Sequence, residues 1–351
     1  MNNQEVDEHR QPAVPGGRRP RYAVTGGLGF VGSRLVHQLI AVGDVRIVDV
    51  MPDSAAASVM GIGCSYHRAD LRRPEEAAAA FEGVDVVYHL AGNASGTRSV
   101  TDPQFDFDTN ALATLNVCAA ALAASVQRLV FLSTAMVYGR PRYTPISEDH
   151  ATDPFLPYGA SKLSAEHIVQ SYHHSYGLDT VIGRAFTIYG PGEDPKTAGG
   201  EVGQYLRWHL NGRPVLIVGS PNDKTRDFIH VDDLATALIT LGSTGKTGEV
   251  YNLGTGGEYS MSDLVSIIAD VSGREVEVTV DGTVTDDSYR HVPDVTKLQA
   301  LGVPAARQLR EGIRQLIQEL GPNPELPGLP TAFRAENSNG HLAPVLASAE
   351  Q

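Results

Sequence analysis

The glycine-rich segment Thr25–Gly32 is the feature that most restricts how this chain can fold. It reads TGGLGFVG, follows the apolar run Tyr22–Thr25 and opens a helical pattern over Phe30–Ala41. Two overlapping spacings, G-x-G-x-x-G and G-x-x-G-x-x-G, are carried by Gly26, Gly27, Gly29 and Gly32. Glycines allow a tight turn and a close backbone approach to a pyrophosphate, which the N-terminus of a helix attracts. The segment therefore predicts a strand, turn and helix that bind a dinucleotide.

Short β-branched runs alternate with helical patterns through the first half of the chain. Strands are predicted at Tyr22–Thr25, Val45–Val50, Val84–Leu90 and Leu129–Ser133. Helices are predicted at Phe30–Ala41, Glu75–Phe81 and Asp108–Ala124. This rhythm is typical of a parallel sheet that helices cover on both faces. The predicted fold class is α/β, a Rossmann-type doubly wound parallel sheet with a smaller C-terminal α/β substrate domain.

An acidic residue at the end of the second predicted strand favours NAD as the dinucleotide. Asp49 lies about 20 residues beyond the glycine segment, where a carboxylate binds a ribose diol. The same carboxylate repels a 2′-phosphate, and Val50, Met51 and Pro52 offer no cation to receive one. We therefore expect NAD as the cofactor and not NADP.

The second half of the chain is more mixed, because prolines interrupt it. Helices are predicted at Ser161–Tyr176, Val202–Asn211, Asp232–Leu241, Ser260–Val271 and Ala305–Leu320, and a strand at Glu275–Val280. Residues 1–20 are polar and 321–351 lack periodicity, so a disordered lead and a disordered tail are predicted. Between them we expect an NAD-binding domain over 21–183 and a mainly substrate-binding domain over 184–320, with some segments returning to the first domain.

Composition disfavours several classes of function. The formal net charge of −13 argues against the basic face that sequence-independent nucleic-acid binding needs. No apolar run approaches the ~20 residues of a membrane span, and the N-terminal segment lacks the apolar centre of a secretory signal. Cys64 and Cys118 form no metal-ligand spacing and suit a reducing cytoplasm. We expect a cytoplasmic protein without a metal site, nucleic-acid partner or membrane span.

Two segments carry candidate catalytic groups. Tyr158 and Lys162 lie four apart in a helical pattern, on one helix face. A nearby ammonium and an oxidised nicotinamide favour the phenolate of a tyrosine that otherwise ionises near pH ~10. Ser133 and Thr134 end a predicted strand, at the edge where open α/β sheets bind ligands. Read alone, the Tyr–Lys spacing also fits a solvated helix face, and Thr134 also fits a strand-end cap.

Seven motifs together resemble the extended short-chain dehydrogenase/reductases, specifically the NAD-dependent epimerase/dehydratase family of nucleotide-sugar enzymes. The resemblance runs from about Arg21 to Leu320 and keeps the family order. The motifs are TGGLGFVG at 25–32, HLAG at 89–92, STAMVYG at 133–139, YGASK at 158–162, GRAFTIYGPG at 183–192, RDFIHVDD at 226–233 and YNLGTGG at 251–257.

The resemblance implies roles for individual residues. The implied cofactor-binding residues are Gly26, Gly29, Phe30, Val31, Gly32, Asp49, Asp70, Leu71, Leu90, Ala91, Gly92, Ser133, Tyr158 and Lys162. The implied catalytic residues are Thr134, Tyr158 and Lys162, with Tyr158 as the base. The implied nucleotide-sugar ligands are Thr134, Thr187, Arg226 and Arg290. The helices Asp108–Ala124 and Ser161–Tyr176 match a pair that forms a four-helix homodimer interface in the family.

Several of these residues also have a simpler interpretation. Asp70 could cap a helix, and Arg226 could form a surface ion pair. Arg290 could pair with nearby acids such as Asp294. His89 is interpreted as a core histidine and not as a catalyst.

The two residues after Thr134 separate the reactions of this family. Dehydratases of the family carry Asp-Glu there, and the decarboxylases typically keep a Glu at the second position. Ala135 and Met136 stand there in this chain and cannot transfer protons. This disfavours both eliminations and leaves C4 epimerisation of a UDP-sugar, through a transient 4-ketosugar, as the leading interpretation. An NAD(P)H-dependent NDP-4-ketosugar reductase is the first alternative, followed by a 4,6-dehydratase and a catalytically silent NAD-sensing binding protein.

The sugar of that substrate is left between a UDP-glucose/galactose type and a UDP-glucuronate type. The phrase FTIYGP, which carries Thr187, resembles FTVYGP of UDP-glucuronate 4-epimerases. The arginine expected shortly after it in those enzymes is replaced by Asp194, and Arg98 is a candidate substitute.

Overall fold

A computed structural model describes most of the chain. The described residues are 18–60, 64–196, 200–282, 289–327, 333–335 and 342–344. Residues 1–17 of the predicted lead and most of the predicted tail lie outside these ranges.

Strands and helices alternate as far as residue 185. The strands are β1 (Arg21–Thr25), β2 (Asp44–Asp49), β3 (Ser65–Arg68), β4 (Val86–His89), β5 (Arg128–Thr134) and β6 (Thr180–Ala185). The α-helices are α1 (Phe30–Leu39), α2 (Asp53–Met60), α3 (Pro74–Ala80), α4 (Gly96–Thr101), α5 (Pro103–Phe107), α6 (Ala113–Ala123) and α7 (Pro157–Tyr176). A π-helix, Asp108–Leu112, joins α5 to α6, and a 3₁₀-helix, Ala135–Tyr138, follows β5.

Shorter strands dominate the rest of the chain. They are β7 (Thr187–Tyr189), β8 (Val215–Val218), β9 (Thr225–Arg226), β10 (Phe228–His230), β11 (Val250–Leu253), β12 (Tyr259–Ser260), β13 (Val278–Asp281), β14 (Arg290–His291), β15 (Phe333–Ala335) and β16 (Leu342–Pro344). The helices are α8 (Glu201–Leu210), α9 (Val231–Thr244), α10 (Met261–Ser272), α11 (Thr296–Gln299) and α12 (Leu309–Leu320).

Seven strands form one parallel sheet, in the order β11-β6-β5-β4-β1-β2-β3. This Rossmann-type sheet confirms the predicted fold class. Side chains of β1 alternate between two cores: Val24 packs with α1 and α9, and Ala23 packs with α3, α6 and α7. Because successive side chains of a strand point to opposite faces, helices cover both faces of the sheet. The carboxyl ends of β1, β2 and β4 meet at one edge, since Thr25 pairs with both Val48 and His89.

The region after residue 184 divides between two bodies of structure. β11 pairs with β6 at the edge of the main sheet, and α9 packs against α1. A third core is formed by residues of α8, α10, α12 and β8, which include Leu206, Ile217, Leu264 and Ile313. The smaller unit is therefore interrupted by segments that complete the larger one.

Several predicted elements differ in their bounds from the observed ones. The predicted helix Ala305–Leu320 begins only at Leu309, and Arg307 before it donates its backbone N–H to Asp233 at 2.7 Å. Helix α10 begins with a capping box, in which Ser260 and Asp263 exchange backbone–side-chain hydrogen bonds of 2.9 and 3.0 Å. At the predicted lead, Arg18 forms an ion pair of 2.6 Å with Asp85.

The start of the predicted tail makes contacts with the folded chain. Arg207 donates to the carbonyl of Glu325 at 3.0 Å, so this part of the tail lies against α8. Within the described residues, every helix is too short or too polar to cross a bilayer.

Candidate active site

The glycine turn between β1 and α1 forms a cradle that no larger residue would fit. Gly26 has φ of +67°, and a Cβ there would lie 2.9 Å from the backbone of Ala91. A Cβ on Gly32 would lie 2.1 Å from the carbonyl oxygen of Gly26. Gly29 is the N-cap of α1 and provides no side chain to the N–H groups of the first turn, which contains Phe30 and Val31. This cradle fits the pyrophosphate of a dinucleotide.

The carboxylate of Asp49 lies directly beside this turn. It accepts hydrogen bonds from the backbone N–H of Leu28 at 3.1 Å and of Met51 at 3.2 Å. Asp49 is therefore fixed at the carboxyl edge of the sheet, where a ribose diol of the dinucleotide could bind it.

Asp70 and Leu71 follow β3 on the same side of the sheet. The Asp70 carboxylate forms an ion pair of 2.6 Å with Arg72, whose hydrogen bond lowers the pKa of that carboxyl. Leu71 is buried, and its carbonyl accepts a hydrogen bond of 2.9 Å from Asn116. The Asp70 side chain thus has a protein partner already, in contrast to Asp49, which bonds only backbone groups.

The loop after β4 is tied to the end of β1. The Thr25 hydroxyl accepts hydrogen bonds of 3.1 Å from the N–H groups of both Leu90 and Ala91. A Cβ on Gly92 would lie 2.6 Å from Oδ1 of Asn110, so this loop also approaches its neighbours closely. Leu90, Ala91 and Gly92 therefore lie next to the glycine cradle, as the Gly26–Ala91 approach requires.

His89 is a core residue. Its ring nitrogens lie 2.8 Å from the Thr25 hydroxyl and 2.9 Å from the Thr114 hydroxyl, and the residue is fully buried. Burial lowers the pKa of His89 to about 3, so the ring is neutral at physiological pH.

Tyr158 and Lys162 lie in the first two turns of α7. Burial raises the pKa of Tyr158 to about 12, and a hydrogen bond with the Thr134 side chain acts in the opposite direction. Burial lowers the pKa of Lys162 to about 8. The Lys162 ammonium donates to the carbonyl of Leu132 at 2.7 Å and lies 4.2 Å from the centre of the Phe131 ring. The helix thus brings a tyrosine and a lysine to the end of β5.

The structure separates the two hydroxyl residues that end β5. Thr134 is within hydrogen-bonding reach of Tyr158 and also accepts from the backbone N–H of Met136 at 3.2 Å. Ser133 donates to Glu166 at 2.5 Å, and Glu166 forms a buried ion pair of 2.7 Å with Arg184. Neighbouring residues of a strand point to opposite sides, so Thr134 joins the tyrosine while Ser133 joins the ion pair.

A buried carboxylate that the sequence did not indicate lies behind α7. Asp106 accepts hydrogen bonds from Ser161 at 2.6 Å, from Asn93 at 2.7 Å and from Asn110 at 3.0 Å. Its signal in the sequence is one acid in a stretch without helical periodicity, which gave no reason to select it. Asp106 interacts electrostatically with both Tyr158 and Lys162.

The predicted substrate ligands lie in different environments. Thr187 begins β7 and pairs with Phe228 of β10. Arg226 is buried, donates to the carbonyls of Thr225 at 2.9 Å and Tyr289 at 2.7 Å, and stacks on the Tyr289 ring. By contrast, the Arg290 side chain is 56% exposed.

The two arginines also differ in their acidic partners. Arg290 forms two hydrogen bonds, of 2.6 and 2.7 Å, with the carboxylate of Glu258. Arg226 lies 3.7 Å from Glu201, which is also 3.4 Å from the buried ammonium of Lys224. Sequence reasoning missed Glu201 and Lys224, because the residues of this cluster come from separate segments. Within the described residues, no group of His, Cys, Asp and Glu side chains could hold a metal ion.

Comparisons with known proteins agree with this arrangement. Residues 22–254 match the model of the NAD dependent epimerase/dehydratase family. The UDP-glucose 4-epimerase of Mycolicibacterium smegmatis is 33% identical over 306 residues, which cover 85% of this chain and 97% of that protein.

Two solved epimerases have the same fold. The UDP-glucose 4-epimerase of Thermotoga maritima, solved with UDP-glucose, has a TM-score of 0.79 and 28% identity and covers 85% of this chain and 98% of that one. The UDP-glucose 4-epimerase of Thermus thermophilus, solved with NAD, has a TM-score of 0.75 and 32% identity, with coverage of 85% and 98%. NAD is therefore the cofactor, as Asp49 predicted. The chain belongs to the NAD-dependent epimerase/dehydratase family and is an NAD-dependent epimerase of the extended short-chain dehydrogenase/reductase type.

Proposed function

We propose that this protein inverts the C4 hydroxyl of a UDP-sugar. The observation that carries the proposal is the meeting of Tyr158, Thr134 and Lys162 at the end of β5, on the edge of the sheet that also holds the glycine cradle. A phenol, a hydroxyl and an ammonium at one place can move a proton to and from a sugar hydroxyl.

The side chains have separate parts in this reaction. Bound NAD would take hydride from C4 and return it to the opposite face of the sugar. Tyr158 accepts the proton of the O4 hydroxyl during oxidation and returns it during reduction. Thr134 holds a hydrogen bond to the reacting oxygen, and Lys162 stabilises the phenolate by its positive charge. The positive charge of an oxidised nicotinamide would favour the phenolate further, opposing the effect of burial.

The residues beside Thr134 favour epimerisation over the eliminations of the same family. Ala135 is buried in a small apolar cluster and Met136 lies in the same 3₁₀ turn, so the turn offers no acid to protonate a leaving hydroxyl. The nearby carboxylate of Glu166 is held by Arg184 and Ser133. A dehydratase or decarboxylase would need a proton donor or acceptor at this turn.

The buried cations near β9 suit the diphosphate of the substrate. Arg226 and Lys224 bring two buried positive charges to one place, where Lys224 lies 3.4 Å and Arg226 3.7 Å from Glu201. A buried arginine binds phosphate oxygens through charge-assisted hydrogen bonds. Arg98, a candidate ligand for a sugar carboxylate, lies with its guanidinium 3.5 Å from the centre of the Phe105 ring. We therefore place UDP-glucose and UDP-galactose ahead of UDP-glucuronate as substrates.

The test is an NMR time course with catalytic amounts of protein, NAD and one nucleotide sugar at a time. The panel is UDP-glucose, UDP-galactose, UDP-N-acetylglucosamine and UDP-glucuronate, with the dTDP and GDP forms of the first two. We expect a C4-inverted product that reaches the same ratio from either side, without net NADH. Tyr158→Phe protein is the matched control and should give no product.

Failure of that assay has its own meaning. If no sugar changes, while NADH is oxidised when a nucleotide-linked 4-ketosugar is added, the protein is a ketosugar reductase and the proposal of epimerisation is wrong. If neither reaction occurs and NAD still binds, the result would favour a catalytically silent NAD-sensing protein.

We also propose that two copies associate through the helices on one flank of the sheet. α6 and the π-helix pack beside α7, and Leu112, Leu115 and Leu122 are 36–40% exposed. A second copy would cover these side chains in a four-helix arrangement. Leu115→Glu should reduce the molecular mass measured by light scattering from that of a dimer to that of a monomer, and an unchanged mass would contradict the proposal.

A further inference from the structure

Asp106 is a fully buried acid that the proposed reaction leaves without a role. Its side chain is 0% exposed. Oδ1 accepts from the amides of Asn93 and Asn110, and Oδ2 accepts from the hydroxyl of Ser161. All three partners are neutral donors, which suits an ionised carboxylate because it accepts at both oxygens. Burial of a charge without a cationic partner is expensive, so a reason for its presence is required.

The position of Asp106 ties it to the catalytic turn of α7. Ser161 lies between Tyr158 and Lys162 on that helix and donates a 2.6 Å hydrogen bond to the Asp106 carboxylate, which Asn93 and Asn110 also bind. On the other side, Asn110 belongs to the π-helix that follows α5 and donates to both Asp106 and Ser161. π-helical turns are frequent at functional sites. The carboxylate is thus a fixed negative charge behind the two catalytic side chains.

We propose that Asp106 is a positioning residue, whose negative charge sets the pH range in which Tyr158 acts as a base while Lys162 remains an ammonium ion. The proposal rests on the proposed function for its kinetic assay and on the geometry of α5, the π-helix and α7 for its structural basis.

The negative charge of Asp106 raises the pKa values of both Lys162 and Tyr158. It raises the pKa of Lys162, which opposes the lowering by burial and keeps the ammonium in a site that excludes water. It also raises the pKa of Tyr158, because a nearby anion disfavours the phenolate. Removing this charge should therefore move both ionisations to lower pH.

The other titratable groups around the pair have partners of their own. Glu166, one turn beyond Lys162, also raises the pKa of Lys162 but is paired with Arg184 on β6. His89 on β4 is neutral, because burial lowers its pKa to about 3. Asp106 is the remaining charged group that acts on both catalytic side chains among the described residues.

The experiment compares the full-length NAD-loaded protein with Asp106→Asn. The pH dependence of kcat/KM for the UDP-sugar that the wild type converts is measured from about pH 6 to about pH 10. In this NAD-loaded protein the positive charge of the oxidised nicotinamide is expected to lower the pKa of Tyr158 from the value that burial gives it. We expect both limbs of the profile to shift to lower pH by about one unit, the size expected for one nearby charge. Ser161→Ala, which keeps the charge and removes one hydrogen bond, is the matched control and should leave the limbs in place.

A second readout does not need turnover. The ultraviolet absorbance of tyrosinate is titrated in the NAD-loaded protein, and the curve of its Tyr158→Phe counterpart is subtracted to isolate Tyr158. The same subtraction is made in the Asp106→Asn background. We expect the Tyr158 titration to move to lower pH by about one unit in that background.

The outcomes separate the two proposals. Loss of activity in Asp106→Asn with unmoved limbs and an unmoved tyrosinate titration would show a purely structural role and overturn the inference. If Asp106→Asn does not fold, Asp106→Ser, which is smaller and also neutral, carries the same expectation. If the wild type converts no nucleotide sugar, the proposed function fails, and the tyrosinate titration still decides the role of Asp106.

Discussion

The cofactor end and the substrate end of this site are constructed in different ways. The cofactor end is made of backbone: the turn at Gly26, the close packing at Gly32 and a carboxylate, Asp49, that bonds only main-chain N–H groups. The end that we propose for the substrate contains charged side chains, Arg226 and Arg290 with their acidic partners, which come from separate segments of the chain.

The difference explains which end a sequence can specify. A backbone cradle depends on local steric fit within one strand, turn and helix. It can therefore be recognised in the sequence from the spacing of its glycines. An ion pair between distant segments has no characteristic sequence spacing, because either partner could lie at many positions in the chain. We expect substitutions at the cofactor end to change folding and NAD binding together, and substitutions at the substrate end to change nucleotide-sugar affinity alone.

The largest effect is expected where the two ends meet. Tyr158→Phe removes the group that would exchange a proton with the sugar, so kcat should fall by about 10²- to 10⁴-fold. NAD content and the unfolding temperature should be close to those of the wild type, since the phenol makes a single side-chain hydrogen bond, with Thr134. Activity within threefold of wild type would remove Tyr158 from the mechanism.

At the cofactor end, Gly32→Ala should destabilise the fold and weaken NAD binding. The added methyl group would meet the carbonyl oxygen of Gly26 at 2.1 Å, and backbone must move to relieve the overlap. Overpacking of this kind costs about 1–3 kcal/mol of unfolding free energy. Chemical denaturation and NAD titration measure the two effects.

The matched control for that substitution is Gly282→Ala. A Cβ at Gly282 would meet no atom within 4 Å, and its φ does not lie in the region that favours glycine. Its stability and NAD affinity should equal those of the wild type. Equal behaviour of the two variants would contradict the view that steric fit defines the cofactor end.

At the substrate end, Arg226→Ala should weaken the binding of UDP and leave NAD binding unchanged. A lost hydrogen bond from a charged donor costs about 1.5–3 kcal/mol, or roughly tenfold to hundredfold in Kd. Calorimetric titration with UDP and with NAD measures both. A parallel loss of NAD affinity would break the distinction between the two ends, because Arg226 would then support the cofactor site as well.

The extent to which the sequence predicted the structure follows the same division. The bounds of β1, α1, β4 and β5 were predicted to within about two residues, because apolar runs next to glycine turns are local signals. β3 was missed, since its residues SYHR have no apolar pattern and it lies at the edge of the sheet. The π-helix forms the first part, Asp108–Leu112, of the single helix predicted over Asp108–Ala124. The sequence did not indicate it, because a π-helical turn has no distinctive residue pattern.

The residues that we propose for catalysis show the same contrast at the level of side chains. Tyr158 and Lys162 could be selected because their spacing on a helix is fixed by the helix itself. Asp106 and Glu201 could not, because their importance depends on residues in other segments of the chain, such as Ser161 and Lys224. Burial and pairing of charges are properties of the folded chain and cannot be predicted from any short segment of the sequence.

The smallest effect is expected at Arg290. Its substitution tests how much an exposed arginine contributes to UDP binding. Its side chain is 56% exposed and is hydrogen-bonded to Glu258, so the guanidinium must leave that carboxylate before it can reach a diphosphate. Exposed ion pairs contribute about 0–1 kcal/mol, and the exchange of one anion for another should be of similar size. Arg290→Ala should therefore raise the Kd for UDP by less than about fivefold, well below the effect of Arg226→Ala.

Glu258→Gln frees the arginine and should tighten UDP binding slightly. A loss for Arg290→Ala as large as that for Arg226→Ala would mean that the exposed arginine closes on the diphosphate and is shielded from water in the complex.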